Sequence, residues 1–339
     1  MTTVPILDFN HLLALTGPFG TFEHARHSTA RIEHGYCTDD VARVLLVTAR
    51  EPVLAEELGN LAASSIEFLA QAQGSSGEFK NRRSPDGSWT GQPSNEDCWG
   101  RAVWALGTVV ASSSAVSLHG QAHRLLERAA LVRSPWPRSM AWAAMGAIEV
   151  LRSEPADRNA HQLLLAAVDV LDRTEMSDDW RWPEPRLTYA NAALAEALVA
   201  AGTWLGDDRI QQMGLRQLRW LLTVETRDGH LSVSPVGGRG PLDPPRQYDQ
   251  QPIEVAAMAD ACVRAYDATG DEEWLVGVER AVGWFIGEND AGAVMFDPSS
   301  GGGFDGLTAT GPNLNQGAES TVALLTTLQY ARRYALSAS

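Results

Sequence analysis

Five clusters of carboxylates, amides and aromatic rings punctuate the 339-residue sequence. The first is His34-Gly35-Tyr36-Cys37-Thr38-Asp39-Asp40, and the second is Asn95-Glu96-Asp97-Cys98-Trp99-Gly100-Arg101. Trp180-Arg181-Trp182-Pro183-Glu184 is followed closely by Thr188-Tyr189-Ala190-Asn191. Tyr248-Asp249-Gln250-Gln251-Pro252 and Asn313-Leu314-Asn315-Gln316-Gly317-Ala318-Glu319-Ser320 complete the set. This mixture suits a carbohydrate. Sugar hydroxyls need polar partners in pairs, and an aromatic face covers the C–H face of a pyranose. Glycoside hydrolysis needs one carboxyl group that is protonated and one that is ionised. Asp39, Asp40, Glu184, Asp249 and Glu319 are the candidates for that pair, with Asp40 and Glu319 preferred. Glu184, flanked by Trp182, Pro183 and Pro185, has the most apolar local sequence, which makes it the rival acid.

Candidates for holding the substrate are His34, Tyr36, Glu96, Asp97, Trp99, Arg101, Trp182, Tyr189, Asn191, Gln250, Gln251, Asn315 and Gln316. Of the 11 Trp, Trp89, Trp99, Trp136, Trp180 and Trp182 lie in or beside the clusters. Trp99 and Trp182 are the expected stacking platforms, with Trp180 behind them. Trp104, Trp142, Trp204, Trp220, Trp274 and Trp284 fall within helical stretches and read as core.

Each cluster also has a plainer reading. Thr38 followed by two aspartates is a good helix start, and Ser94-Asn95-Glu96-Asp97 is close to a capping box. Pro252 with Glu254 just inside is a further start signal. Asp97 and Arg101, four apart, suit an ion pair on one helix. Capping alone does not require Gln250-Gln251, Asn315-Gln316, His34-Gly35-Tyr36 or the Trp180/Trp182 pair.

The elements that must position these residues are helices. Apolar residues recur at helical spacing, in Ala-, Leu- and Arg-rich sequence, over Asp40–Arg50, Leu54–Gln73, Glu96–Ala111, Gly120–Arg133, Ser139–Leu151 and Asn159–Arg173. The pattern continues through Tyr189–Gly202, Asp207–Thr223, Pro252–Thr269, Glu272–Glu288 and Gly317–Ala335. Short links alternate with long Gly/Pro/Trp-rich loops, and loops of such length usually carry function. This is a repeat of helical hairpins: five clear pairs, with Leu7–Leu15 as the expected partner of the last helix. Six hairpins closing into one all-α domain would bring Asp40, Glu96, Tyr189, Gln251 and Glu319 to one mouth.

Composition narrows the partners. Lys plus Arg total 27 against 42 Asp plus Glu, a net charge of −15. Such a surface repels phosphate backbones and anionic lipid, so no nucleic-acid or membrane partner is expected. Lys80 is the only lysine. The three cysteines, Cys37, Cys98 and Cys262, are widely spaced and form no CxxC, which disfavours a disulfide framework and a thiolate zinc site. No GxSxG, P-loop or HExxH occurs, and no metal or cofactor is expected. His119, His123, His161 and His230 read as surface or core residues. The N-terminal sequence has no basic, apolar leader pattern, and the expected location is the cytoplasm.

His34-Gly35-Tyr36-Cys37-Thr38-Asp39-Asp40-x-Ala42-Arg43 and Asn315-Gln316-Gly317-Ala318-Glu319-Ser320-Thr321 resemble a bacterial family of six-hairpin glycosidase-like proteins. The similarity extends through Glu96-Asp97-x-x-Gly100-Arg101, Leu187-Thr188-Tyr189-x-Asn191 and Asp249-Gln250-Gln251-Pro252. Members of that family often occur beside, or fused to, glycosyltransferases. They often carry Ser where this chain has Asn95, and Asn where it has Val41. The resemblance implies an (α/α)6 toroid and, with the clusters, an inverting glycoside hydrolase acting on a short oligosaccharide or glycoconjugate. The alternatives are a non-catalytic carbohydrate-binding or glycosyltransferase-partner domain, and a sugar epimerase or phosphorylase on the same scaffold.

Overall fold

The computed structural model describes residues 5–245 and 247–334. They fall into two compact units. Leu12–Ala25 with Thr29–Leu171 form the first, and the remaining described residues, chiefly those from Asp172 onward, form the second.

The first unit holds three helical hairpins. They are α2 (Thr38–Ala49) with α3 (Glu56–Ala72), α4 (Asp97–Ala111) with α5 (His119–Ala129), and α6 (Pro137–Ser153) with α7 (Arg158–Leu171). Helices α2, α4 and α6 lie side by side, each with its hairpin partner against it. Burial follows the same division. Helix α4 is buried from Cys98 through Leu106 without a break, whereas α5 buries only Ala122, Leu125, Leu126 and Ala129. A helix apolar all round belongs inside, and one with a single apolar stripe belongs outside. The α4–α6 contact is close because both helices present glycine. A Cβ on Gly107 would lie 2.3 Å from the Gly146 carbonyl oxygen, and one on Gly100 would lie 2.4 Å from that of Ser139.

The second unit repeats the arrangement with α8 (Ala192–Leu205), α9 (Asp208–Val224), α10 (Pro252–Thr269), α11 (Glu273–Ile286) and α12 (Ala318–Arg333). Helix α10 packs against both α8 and α12, α9 lies on α8, and α11 lies on α10 and α12. Asp207 caps α9 by accepting the Ile210 N–H at 3.1 Å, and Gly206 in the left-handed region ends α8.

Helix positions agree with the sequence periodicity to within a few residues, and the deviations have causes. Helix α8 begins at Ala192, not Tyr189, because Glu254 of α10 accepts the N–H groups of Ala190 and Asn191. Helix α5 ends at Ala129, before Arg133, whose guanidinium donates to the carbonyls of Ala130 and Val132 at 2.7 Å. The segment expected to partner the last helix forms only α1 (Asn10–Ala14), five residues long. Ala335, the expected end of α12, lies outside the described residues.

Short strands stitch the long loops together. In the first unit Tyr36–Cys37 pairs with Arg82–Arg83, which pairs with Trp89–Thr90, and Phe79 bridges to Ser94. In the second, Leu187 bridges to Arg239, Pro235 to Gln250, and Gln250 to Leu307, whose strand pairs with Gly311–Asn313. The polar clusters that precede α2 and α4 are thereby tied to one another, and so are those that precede α8, α10 and α12.

Candidate active site

In the first unit the helix-start signals do not spend their side chains on capping. Thr38 lies inside α2, and its hydroxyl donates to the Lys80 carbonyl at 2.6 Å. Glu96 occupies the N-cap position of α4 without a side-chain cap bond. Pro252 and Glu254 lie in the first turn of α10, and Asp39 and Asp40 in that of α2, as the sequence announced. Asp39 and Asp40 are held by other groups. Asp40 is 2% exposed and accepts from Arg43 Nη2 at 2.6 Å. Asp39 accepts the Cys37 thiol at 3.4 Å, and Arg101 Nε lies 3.6 Å from its Oδ1. Arg101 comes from α4 and is itself buried, with its guanidinium 3.8 Å from the ring centre of Trp142 on α6. Asp97 accepts from Ser139 at 3.1 Å, which joins the start of α4 to the start of α6. Three helix N-termini thus gather three aspartates and two arginines, Arg43 and Arg101.

The Cys37 thiol beside them is pushed well above its ordinary value, first by burial and then by Asp39 and Asp40. It is a neutral hydrogen-bond donor, not a nucleophile. Glu23, Cys37 and Asp40 place one ligand-type atom each within 4.8 Å of one another. Arg82 pairs with Glu23 and Arg43 with Asp40, so both carboxylates are held as ion pairs.

Around this centre the expected residues divide. Glu96 is exposed and Asp97 is half-buried. Tyr36 is buried and stacked on Phe22 at 4.5 Å, which makes it a wall of the loop rather than a contact for substrate. His34 is exposed, and its Nδ1 lies 3.1 Å from Nδ1 of His24. The stacking expectation needs correction. Trp99 is fully buried and donates its indole N–H to the Ala129 carbonyl at 3.1 Å. Trp182, in the second unit, is equally buried and stacks on Trp220, and Trp180 is 6% exposed. None of the three offers a face to a sugar. Trp136 does: it precedes α6 and is 55% exposed.

In the second unit Tyr189 is 44% exposed, Asp249 is exposed, and Glu184, Gln251, Asn315 and Glu319 are half-buried. Four of the expected contacts make hydrogen bonds within the protein. Asn191 is fully buried; it donates to Glu254 at 3.0 Å and accepts the Thr188 N–H. Gln250, also fully buried, donates to Asp290 at 2.7 Å and accepts from the Trp284 indole at 3.2 Å. Gln316 accepts from Ser300 and donates to Asp297, and Asn315 accepts the His27 N–H at 3.0 Å. These amides shape the loops that carry Tyr189, Gln251 and Glu319. Asp305 completes the set by accepting the Gly317 N–H at 2.7 Å and the Ser320 hydroxyl, so it caps α12 from a distant loop. Neither Asp305 nor Asp290 stands in a motif, and no spacing marks either one. Glu254 stood in the sequence only as a first-turn acid.

No family model matches the sequence, and no curated protein matches it. Solved structures do match. A sugar epimerase from a ruminal bacterium is 14% identical, with TM-score 0.71 over 94% of each chain. A cellobiose 2-epimerase from Spirochaeta thermophila is 15% identical, with TM-score 0.63 over 96% of this chain and 94% of its own. A GH76 α-mannanase from Bacteroides thetaiotaomicron is 10% identical, with TM-score 0.62 over 89% and 87%. These structural neighbours are six-hairpin glycosidase-like, carbohydrate-active enzymes, and the chain has their (α/α)6 toroid fold. Among the described residues, no helix is long and apolar enough to cross a membrane.

Proposed function

We propose that this chain is a glycoside hydrolase of the inverting type that acts on the end of a short oligosaccharide or glycoconjugate. The reacting carboxylates are drawn from Asp39, Asp40, Glu184, Asp249 and Glu319. One observation supports the reading above the rest. Asp39 and Asp40, at the positive end of α2, are paired with Arg101 and Arg43. A carboxylate gripped by a guanidinium suits the base that activates water, and Asp40 takes that part. The acid is drawn from the remaining candidates, with Glu319 of α12 preferred and Glu184, between Pro183 and Pro185, its rival. Trp136 supplies the aromatic face.

A second reading is a sugar epimerase or isomerase. The His24–His34 pair favours it, since that chemistry needs a side chain that exchanges protons at carbon. Two epimerases among the similar structures point the same way.

The test is a panel of oligosaccharides incubated with and without phosphate, in D2O, followed by reducing-sugar assay and NMR. Hydrolysis gives new reducing ends without phosphate, with the inverted anomer appearing first. Sugar phosphate would mark a phosphorylase. Deuterium at C2 with no new reducing ends would overturn the hydrolase reading in favour of epimerisation. If neither reaction occurs and sugars still bind, the chain is a non-catalytic carbohydrate-binding domain.

A further inference from the structure

Away from the aspartate cluster, at the link between α6 and α7, four titratable side chains of the first unit converge. His123 and Glu127 lie one turn apart on α5; Glu154 and Asp157 come from the link itself. One ligand-type atom from each of His123, Glu154 and Asp157 lies within 4.8 Å of the others. Nε2 of His123 is 3.5 Å from Glu154, and its Nδ1 is 3.4 Å from Glu127. Both distances are long for charge-assisted hydrogen bonds, which run to about 2.7–2.9 Å. The groups point at one another without closing on one another.

From this geometry we infer that His123, Glu154 and Asp157 form a divalent-cation site of the zinc class, with Glu127 as the residue that orients the histidine. The donor set is one imidazole and two carboxylates, which zinc accepts with a water as the fourth ligand. A metal-bound histidine typically donates its other ring N–H to a carboxylate, and Glu127 stands at that nitrogen. Asp157 is pre-oriented, because one of its oxygens accepts the Ala160 N–H at 2.8 Å and caps α7. Ligands on a tetrahedral ion at about 2.0–2.2 Å lie about 3.4 Å apart. A closure of no more than about 1.4 Å, within reach of exposed Glu154 and half-exposed His123, completes the site. The same His123, Glu127 and Asp157 rim a cleft floored by Leu126, Ala147, Val150 and Leu163, which shields one side of the site from water. The bound ion would clip α5 to the α6–α7 link. The site is independent of the sugar chemistry proposed above.

The experiment uses the full, tag-free chain stripped with a chelator. Zinc sulfate titrated by calorimetry at neutral pH should bind at one equivalent and raise the melting temperature, and the chelator should reverse the shift. His123→Ala should remove this binding, and Glu127→Gln should weaken it about 10–100-fold without removing it. Asp157→Asn keeps the α7 cap, so its loss of zinc affinity reports ligation rather than unfolding. Cobalt in place of zinc should give the intense visible absorption of a tetrahedral ion. No saturable binding to the wild-type chain, or binding that His123→Ala leaves unchanged, would overturn the site, whatever the sugar assays show.

Discussion

Trp99 and Trp136 both lie in or beside the polar clusters in sequence, but their surroundings are opposite. Trp99 fills the contact between α4 and α5 with its indole N–H bound, whereas Trp136 leaves more than half its surface open. Trp99→Ala should therefore cost about 3–5 kcal/mol of folding stability, as the loss of a large buried ring does. Trp136→Ala should leave the melting temperature within a degree or two and weaken sugar binding, measured by calorimetry on a ligand from the panel. The reverse pattern would return Trp99 to the substrate. At the aspartates, Asp40→Asn and Glu319→Gln should each lower turnover on a verified substrate about 10²–10⁴-fold while changing affinity little. Wild-type turnover in both variants would reject this pair and leave Glu184 with Asp249 as the next to test. Sequence reading found the polar clusters but not the duty of each member. Asn191 and Gln250 look like sugar ligands in one dimension, yet their partners Glu254 and Asp290 lie 63 and 40 residues away and carry no motif. A side chain's role depends on which loop lies opposite, and spacing does not encode that.

Helices were the legible layer because apolar periodicity is local. Every long helix appears where its repeat predicts, and ends shift by a few residues, at α8 because the distant Glu254 intervenes and at α5 beside Arg133. The close approach of α4 and α6 was hidden, since a glycine in a helix-forming stretch announces neither a kink nor a contact. It supports a paired prediction. Gly107→Ala places a methyl 2.3 Å from the Gly146 carbonyl oxygen, which the rigid backbone of α6 cannot evade, and should destabilise by about 1–3 kcal/mol or more. Gly59, inside α3, has nothing within 4 Å of a built Cβ, so Gly59→Ala should stabilise by about 0.5–1 kcal/mol through helix propensity. Denaturant unfolding of the two variants measures both signs in one experiment. Equal effects would mean that the α4–α6 contact is looser than its geometry indicates.

At the scale of the whole molecule, acidity and buried thiols set the pH window of stability. All three cysteines are buried and unpaired with one another. Burial pushes the thiols of Cys98 and Cys262 up to about 12, from an ordinary 9.0, with Asp39 adding to the shift at Cys98. A raised pKa means that the folded chain holds these protons more tightly than the unfolded chain does. Their contribution is therefore fully present below about pH 9 and declines as pH rises toward 12. Each group lowers stability by about 1.4 kcal/mol per pH unit across that window, so these two, with the raised Cys37 acting in the same direction, should make the fall steep above pH 9. The net charge of −15 adds self-repulsion that grows in the same direction. Urea unfolding between pH 7 and 11 should show a plateau followed by this decline, and replacing Cys262 with Ser or Ala should flatten the slope by one group's share. In the same terms, none of the three thiols should react with a disulfide reagent at pH 8 until the chain is unfolded, whereupon all three should. A thiol that reacts in the folded chain at that pH would place its sulfur in water, against the packing of α2, α4 or α10 around it.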